Sequence, residues 1–360
     1  MRRLSLAVEA GDFLIYGTKN LPGDNRLYKN RNMITRHLMS LMITLSMIVT
    51  ILAGCNSMRL ETIGTNLTEE TSFPLTLTDD LGRLVNLEKI PERIVSLAPS
   101  NTEIIYALGL EERLVGVTEW CDYPHEAQTK EKVGGYSDID MEKVVSLEPD
   151  LVLAEDIHKQ DVIPALERMG IPCFALVPHN LNEITNSVLV IGKLTGTGDK
   201  AQQIASDMQR RIKYVSDKTS GLTDIEKPRV MYVIWEDMMS VGVDTPIHEM
   251  ITIAGGVNIV KGLEGFPTLS LEEIIGSNPQ VVIANVEDYP GGDAPLQAVL
   301  KESRLKTIDA MADGRVFGIS ASLTNRPVPR IVDGLEWMAA IIHPEIFPEF
   351  VEKYGLNNDT

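Results

Sequence analysis

The chain has 360 residues, of which 44% are hydrophobic and 5% aromatic, and its formal net charge is −18. That length is enough for two ordinary domains with a sizeable core, and the composition fits a soluble α/β globule rather than a membrane bundle or a disordered chain. Residues 1–54 carry seven Lys/Arg against Glu9, Asp12 and Asp24, so their net +4 leaves −22 for residues 55–360. So acidic a surface repels nucleic acid and anionic lipid and disfavours a polynucleotide partner, but says little about a small neutral ligand.

The first elements are targeting signals. Arg31 to Arg36 is basic, and Leu38 to Gly54 is an uncharged run of Leu, Met and Ile ending in Leu52-Ala53-Gly54-Cys55. A basic region, an apolar run and small residues before a cut describe a secretory signal over residues 33–54, with Cys55 as the expected lipidation site; a single short membrane span is the competing reading. Residues 1–32 are polar, lack an amphipathic pattern and precede Met33, as expected of a start codon assigned too far upstream. Residues 55–72, with four Thr and three Glu, read as a tether. Cys121 and Cys173 could pair in an exported protein, but no framework is implied, and without a CxxC there is no support for zinc or iron–sulfur sites.

From Ile94 the pattern alternates strand and helix. Ile94–Ala98 reads as a strand broken by Pro99, and Ser100 to Glu103 as a capping box opening a helix that stops at Gly109. Strands are expected at 114–117, 151–154 and 173–177, with a helix over 161–169 before Gly170. Asp199 is the expected cap of the longest helix, which runs from Lys200 to Thr219 with Ile204, Met208, Ile212 and Val215 at helical spacing. Its central position suits a rigid connector over 199–224 between lobes 73–198 and 225–360. The alternation then restarts with strands at 230–234, 281–284 and 315–319, a helix around 247–254 and a closing helix from Arg330 to about Ile342.

One phrase occurs twice. Asp140-Met141-Glu142-Lys143-Val144-Val145 runs on to Pro149 and the strand LVLA, and Ser270-Leu271-Glu272-Glu273-Ile274-Ile275 to Pro279 and VVIA. Each is a helix cap, a glutamate at the second helical position, an apolar turn, a proline stop and a strand buried on both faces. The recurrence implies two similar lobes, each with a glutamate at a matching corner. An acid in the first helical turn also stabilises the helix dipole by itself, by a few tenths to about 1 kcal/mol, and Glu273 completes a capping box with Ser270.

The stretches RIVSLAPSNTEIIYALGL, VGVTEWCDYP, DMEKVVSLEPDLVLA, LSLEEIIGSNPQVVIA and RPVPRIVDGLEWMA resemble the solute-binding proteins of vitamin B12 and ferric-siderophore ABC importers, over about residues 90–345. The resemblance implies an α/β protein of two Rossmann-like lobes joined by a single long connecting helix. It implies a non-enzymatic, monomeric receptor, lipid-anchored at Cys55 to the outer face of the cytoplasmic membrane, that passes a corrinoid to a permease homodimer and its ATPase. Glu142 and Glu272 match the family's permease-docking glutamates, and paired carboxylates on rigid helix starts suit arginine pockets. Trp120, Tyr136 and Phe266 fall where the B12-binding relatives place aromatic contacts; Trp235 is added because it follows a strand, where α/β ligands sit. Arg326 matches a ligand-side arginine, and Arg330 is expected to cap or buttress the last helix. Two departures are Ser322, where some relatives carry an acid, and Glu155, where some carry a cleft tryptophan.

The same architecture admits a ferric siderophore, which favours a basic cleft, or haem, for which Tyr136 could serve as ligand. A metal-ion receptor would need convergent His and carboxylates, and the histidines are scattered. A chelatase-like enzyme would need cluster cysteines, a phosphate loop or a nucleophile elbow, and none is present.

Overall fold

The computed structural model describes residues 72–287 and 291–356, which belong to one compact unit, Asn66–Thr360. The signal segment, Cys55 and nearly all of the tether lie outside the described residues. Two α/β lobes follow one another along the chain, each a parallel sheet flanked by helices. No described helix is long and apolar enough to cross a membrane.

A hairpin not anticipated from the sequence opens the unit: β1 (Leu75–Thr78) pairs antiparallel with β2 (Leu84–Leu87). The N-terminal sheet has the order β5-β4-β3-β6-β7, with β3 (Ile94–Ser96), β4 (Leu114–Val117), β5 (Glu131–Lys132), β6 (Leu151–Ala154) and β7 (Cys173–Ala175) all parallel. Its helices are α1 (Pro99–Ala107), α2 (Met141–Ser146), α3 (Val162–Arg168) and α4 (Leu181–Thr195). The C-terminal sheet has the order β11-β10-β8-β9, formed by β8 (Arg229–Val233), β9 (Val257–Asn258), β10 (Val281–Val286) and β11 (Val316–Ser320). All residues of β6 are buried, as are Val281 to Asn285 of β10, as expected of strands covered on both faces.

Between the sheets runs α5 (Gly198–Thr219), the longest described helix. Met208 and Val215 are buried and Ile204 and Ile212 half-buried against the main hydrophobic cluster, so the helical spacing does mark its packed face. The helix starts earlier than expected: Thr197 is the N-cap and Asp199 lies inside the first turn. Gly192 explains how closely α4 and α5 meet, because a Cβ there would lie 2.3 Å from that of Ala201. The C-terminal lobe adds α6 (Pro246–Ile253), α7 (Leu271–Ser277), α8 (Ala294–Lys301), α9 (Asp309–Ala312), α10 (Ala321–Thr324), α11 (Ile331–Ile342) and α12 (Pro348–Lys353). Arg211 of α5 pairs with Asp333 and Glu336 of α11, tying the connector to the last lobe.

The capping box expected at Ser100 does not form. Pro99 stands at the first turn of α1 rather than breaking the chain, Ala98 is the N-cap, and no side chain caps it. Cys121 and Cys173 are both buried and unpaired.

The repeated phrase is repeated in three dimensions. Asp140 accepts from the Lys143 amide at 3.1 Å, and Ser270 from the Glu273 amide at 3.3 Å. The Glu273 carboxylate in turn accepts from the Ser270 amide at 2.8 Å, which completes the box. The residue before each proline adopts a left-handed backbone, with φ of 47° at Glu148 and 43° at Asn278. A residue preceding proline cannot easily continue a right-handed helix, and asparagine tolerates the alternative better than glutamate. Glu148→Gly should therefore raise stability by about 0.5–1 kcal/mol, because glycine removes the left-handed cost at an exposed position. Urea denaturation checks this, and an unchanged or lowered midpoint would contradict it.

Candidate functional site

In open α/β sheets, ligands meet the loops beyond the carboxyl ends of the strands. Here those loops from both lobes face one cleft. Trp120 follows β4, Tyr136 follows β5, Glu155 directly follows β6 and Pro178-His179 follow β7. Trp235 follows β8, and Asn325 to Pro327 follow β11 and the short α10.

The cleft comprises adjoining hollows. One, of about 440 Å³, is walled by Ser100, Trp120, Tyr136, Glu155 and Arg326. A second, of about 400 Å³, lies between His179 of the first lobe and Asp244, Phe266 and Ile331 of the second. A third, of about 300 Å³, holds Trp235, Glu236 and Glu287. Asn325 borders all three. All five cleft residues singled out from the sequence, Trp120, Tyr136, Trp235, Phe266 and Arg326, thus stand on cleft walls, although Trp235 and Phe266 line different hollows. Trp120 is 65%, Phe266 58% and Trp235 55% exposed, far above what core packing leaves.

The arginines behave differently from expectation. Arg330 does not merely buttress the last helix: its Nε and Nη2 donate to Glu103 of the opposite lobe at 2.6 and 2.9 Å, and its guanidinium lies 4.0 Å from the Tyr123 ring centre. Arg326 donates to the same Glu103 at 3.1 Å and to both oxygens of Asp122. Burial alone would raise the Asp122 carboxyl, but the bonds from Arg326 hold it below its ordinary value. The side chain of Glu103 is 3% exposed, so a buried carboxylate is shared by two guanidinium groups from across the cleft. Both cleft arginines are therefore already neutralised. Sequence reasoning assigned Glu103 to a local cap because its partners lie more than 220 residues away.

Glu155 is the other residue whose role the sequence did not show. Ser100 Oγ donates to its Oε1 and the Tyr136 hydroxyl to its Oε2. Burial pushes its carboxyl upward, against those two hydrogen bonds. Burial, reinforced by the Glu155 charge, pushes the Tyr136 phenol far above its usual value.

Glu142 and Glu272 sit at equivalent places, each at the second position of its helix and exposed. Neither makes an ion pair or a side-chain hydrogen bond among the described residues, although Arg304 lies near enough to feel the charge of Glu272. Among the described residues no group of three or more His, Cys, Asp or Glu is placed to hold a metal ion.

A family model described as periplasmic binding protein matches residues 94–323. An uncharacterised ABC transporter substrate-binding lipoprotein of Bacillus subtilis, YvrC, is 32% identical over 77% of this chain and 88% of its own. A cobalamin-binding protein of Halobacterium salinarum is 31% identical over 76% of this chain and 75% of its own. A periplasmic haem-binding protein from Pseudomonas aeruginosa superposes with a TM-score of 0.63 at 26% identity, covering 71% of this chain and 94% of its own.

Removing Glu103 would leave the half-buried Arg330 without its counter-charge. Glu103→Ala should destabilise the fold by about 1–3 kcal/mol, the cost of leaving a largely desolvated donor group unpaired. Thermal denaturation reads this directly, and a loss below about 1 kcal/mol would show that the bridge is dispensable.

Proposed function

The chain belongs to the periplasmic binding protein family, the extracytoplasmic substrate-binding proteins of ABC importers, and we propose that it captures a corrinoid in its inter-lobe cleft. The observation that carries this reading is the set of exposed aromatic faces, Trp120, Phe266 and Trp235, around the Asn325–Pro327 loop. Large rings left in water at a concave site are suited to a wide, largely planar ligand, which they cover while a few polar groups orient it. The cobalamin-binding relative supports the same ligand class.

Two features weigh against the alternatives. Ligation of ferric haem by tyrosine requires the phenol to lose its proton, and Tyr136 donates that proton to Glu155, whose charge opposes the loss. An anionic siderophore would need free cationic groups, and Arg326 and Arg330 are engaged by Glu103 and Asp122. A corrinoid, uncharged around most of its rim, makes neither demand.

Delivery rests on Glu142 and Glu272. They are matching exposed carboxylates, one per lobe, each on a capped helix start, as a two-fold permease with arginine pockets would require. The Leu-Ala-Gly-Cys sequence and the lipoprotein relative support lipidation at Cys55 and anchorage at the outer membrane face.

Calorimetric titration of residues 56–360 with cyanocobalamin, haemin and a ferric siderophore separates the ligands. Sub-micromolar binding is expected for cyanocobalamin, weakened about tenfold to a hundredfold by Trp120→Ala or Phe266→Ala, as for aromatic anchors elsewhere. Tight binding of an iron complex without corrinoid binding would reject the assignment. For delivery, Glu142→Ala combined with Glu272→Ala should abolish uptake by cells and leave ligand affinity unchanged. Lost affinity would instead place these acids in ligand binding.

A further inference from the structure

Glu155 stands at the carboxyl end of the fully buried strand β6, where it forms part of the wall of the 440 Å³ hollow. Its position is rigid. Its own amide donates to His158 Nδ1 at 3.0 Å, and the Nε2 of that ring lies 2.9 Å from the Tyr136 carbonyl oxygen. An Nδ1 that accepts leaves the proton on Nε2, which then donates to the carbonyl; the imidazole is neutral, and burial lowers its affinity for a second proton.

The hydroxyls of Ser100 and Tyr136 each occupy one lone pair of a different Glu155 oxygen. A carboxylate has about four such acceptor positions, and these two hydroxyls fill only part of them. No cation meets the rest: Arg326, on the same wall, donates to Glu103 and Asp122, and Glu155 has no ion pair among the described residues. The charge that acts on it is that of Asp156, of the same sign. Burial raises the pKa of this carboxyl, against the hydrogen bonds from its two hydroxyl donors. A ligand with N–H groups at its rim supplies further donors, whereas a ligand with carboxylates brings a second negative charge beside Glu155.

We infer that Glu155 selects the ligand by its rim chemistry: it accepts N–H donors from an amide-fringed ring and turns away the same ring when the facing amide is a carboxylate. The inference deepens the corrinoid reading and rests on it for the scaffold, since a corrinoid carries primary amides around its rim. Ser100, Tyr136 and His158 act as positioning residues, holding the acid in place.

The test uses rings that differ only at the rim. Cyanocobalamin and each of its singly hydrolysed acids, and haemin bis-amide and haemin, are titrated calorimetrically at pH 8 against residues 56–360. The proteins compared are the wild type, Glu155→Gln, and Glu155→Asp, which keeps the charge; thermal denaturation checks that each variant folds. At least one acid should bind about tenfold or more weaker than its amide parent, the scale of an unpaired charged group. Glu155→Gln should bring that ratio within about threefold by strengthening the acid, and Glu155→Asp should retain most of it. Equal affinities for acids and amides in the wild type, or a ratio unchanged by Glu155→Gln, overturn the inference. An amide preference seen with the haem pair alone rejects the corrinoid scaffold but sustains the role of Glu155. Failure of every ring to bind overturns both.

Discussion

The side chain of Glu103 is only 3% exposed and is held by two guanidinium groups from the other lobe. Removing a carboxylate from water is costly, and this one is tolerable because three N–H donors from Arg326 and Arg330 replace its hydration. Much of the cleft depends on that arrangement. It joins the first helix of one lobe to the loop before the last long helix of the other; the Leu181 amide, which donates to Glu249 at 2.7 Å, makes a second crossing between the lobes. It also consumes the only two arginines at the front of the cleft among the described residues, which leaves aromatic faces and acids to meet a ligand.

The division of labour within the repeated phrase follows from local physics. Asp140, Ser270 and Glu273 satisfy amides at helix starts, and Glu148 and Asn278 reverse the chain before a proline. Glu142 and Glu272 perform neither task. Their equivalence is a consequence of two lobes built to one pattern, and an equivalent pair is what a two-fold surface can engage at both ends at once.

How much of this could be read beforehand depended on the range of the interaction. Strands such as Leu151–Ala154 and Leu114–Val117 and the long helix were legible, because apolar periodicity is decided within a few residues. The helix Leu181–Thr195 and the hairpin of Leu75–Thr78 with Leu84–Leu87 were not assigned. The former carries a plain apolar stripe, the latter only four-residue strands with one half-buried face. Trp120, Tyr136, Phe266 and Arg326 were picked out by resemblance and Trp235 by its place after a strand. Glu103, Asn325 and the bonding of Glu155 depend on groups brought together from distant segments. A serine and a glutamate three residues apart look like a cap locally, and only the folded chain shows Pro99 starting the helix while Glu103 reaches across the cleft.

A single hydrophobic cluster runs from Ile94 and Leu151 of the first sheet, through Val188, Met208 and Val215 of the paired helices, to Val230 and Leu335 of the second lobe. Each lobe also has a smaller cluster of its own, but lobes that share the largest one in this way are not separable modules. Loss of either should expose apolar surface of the other, so the molecule melts as one cooperative body. Exchange of ligand specificity between such receptors is then confined to loop residues on the cleft walls, because a transplanted lobe would arrive with its side of the shared cluster unmatched.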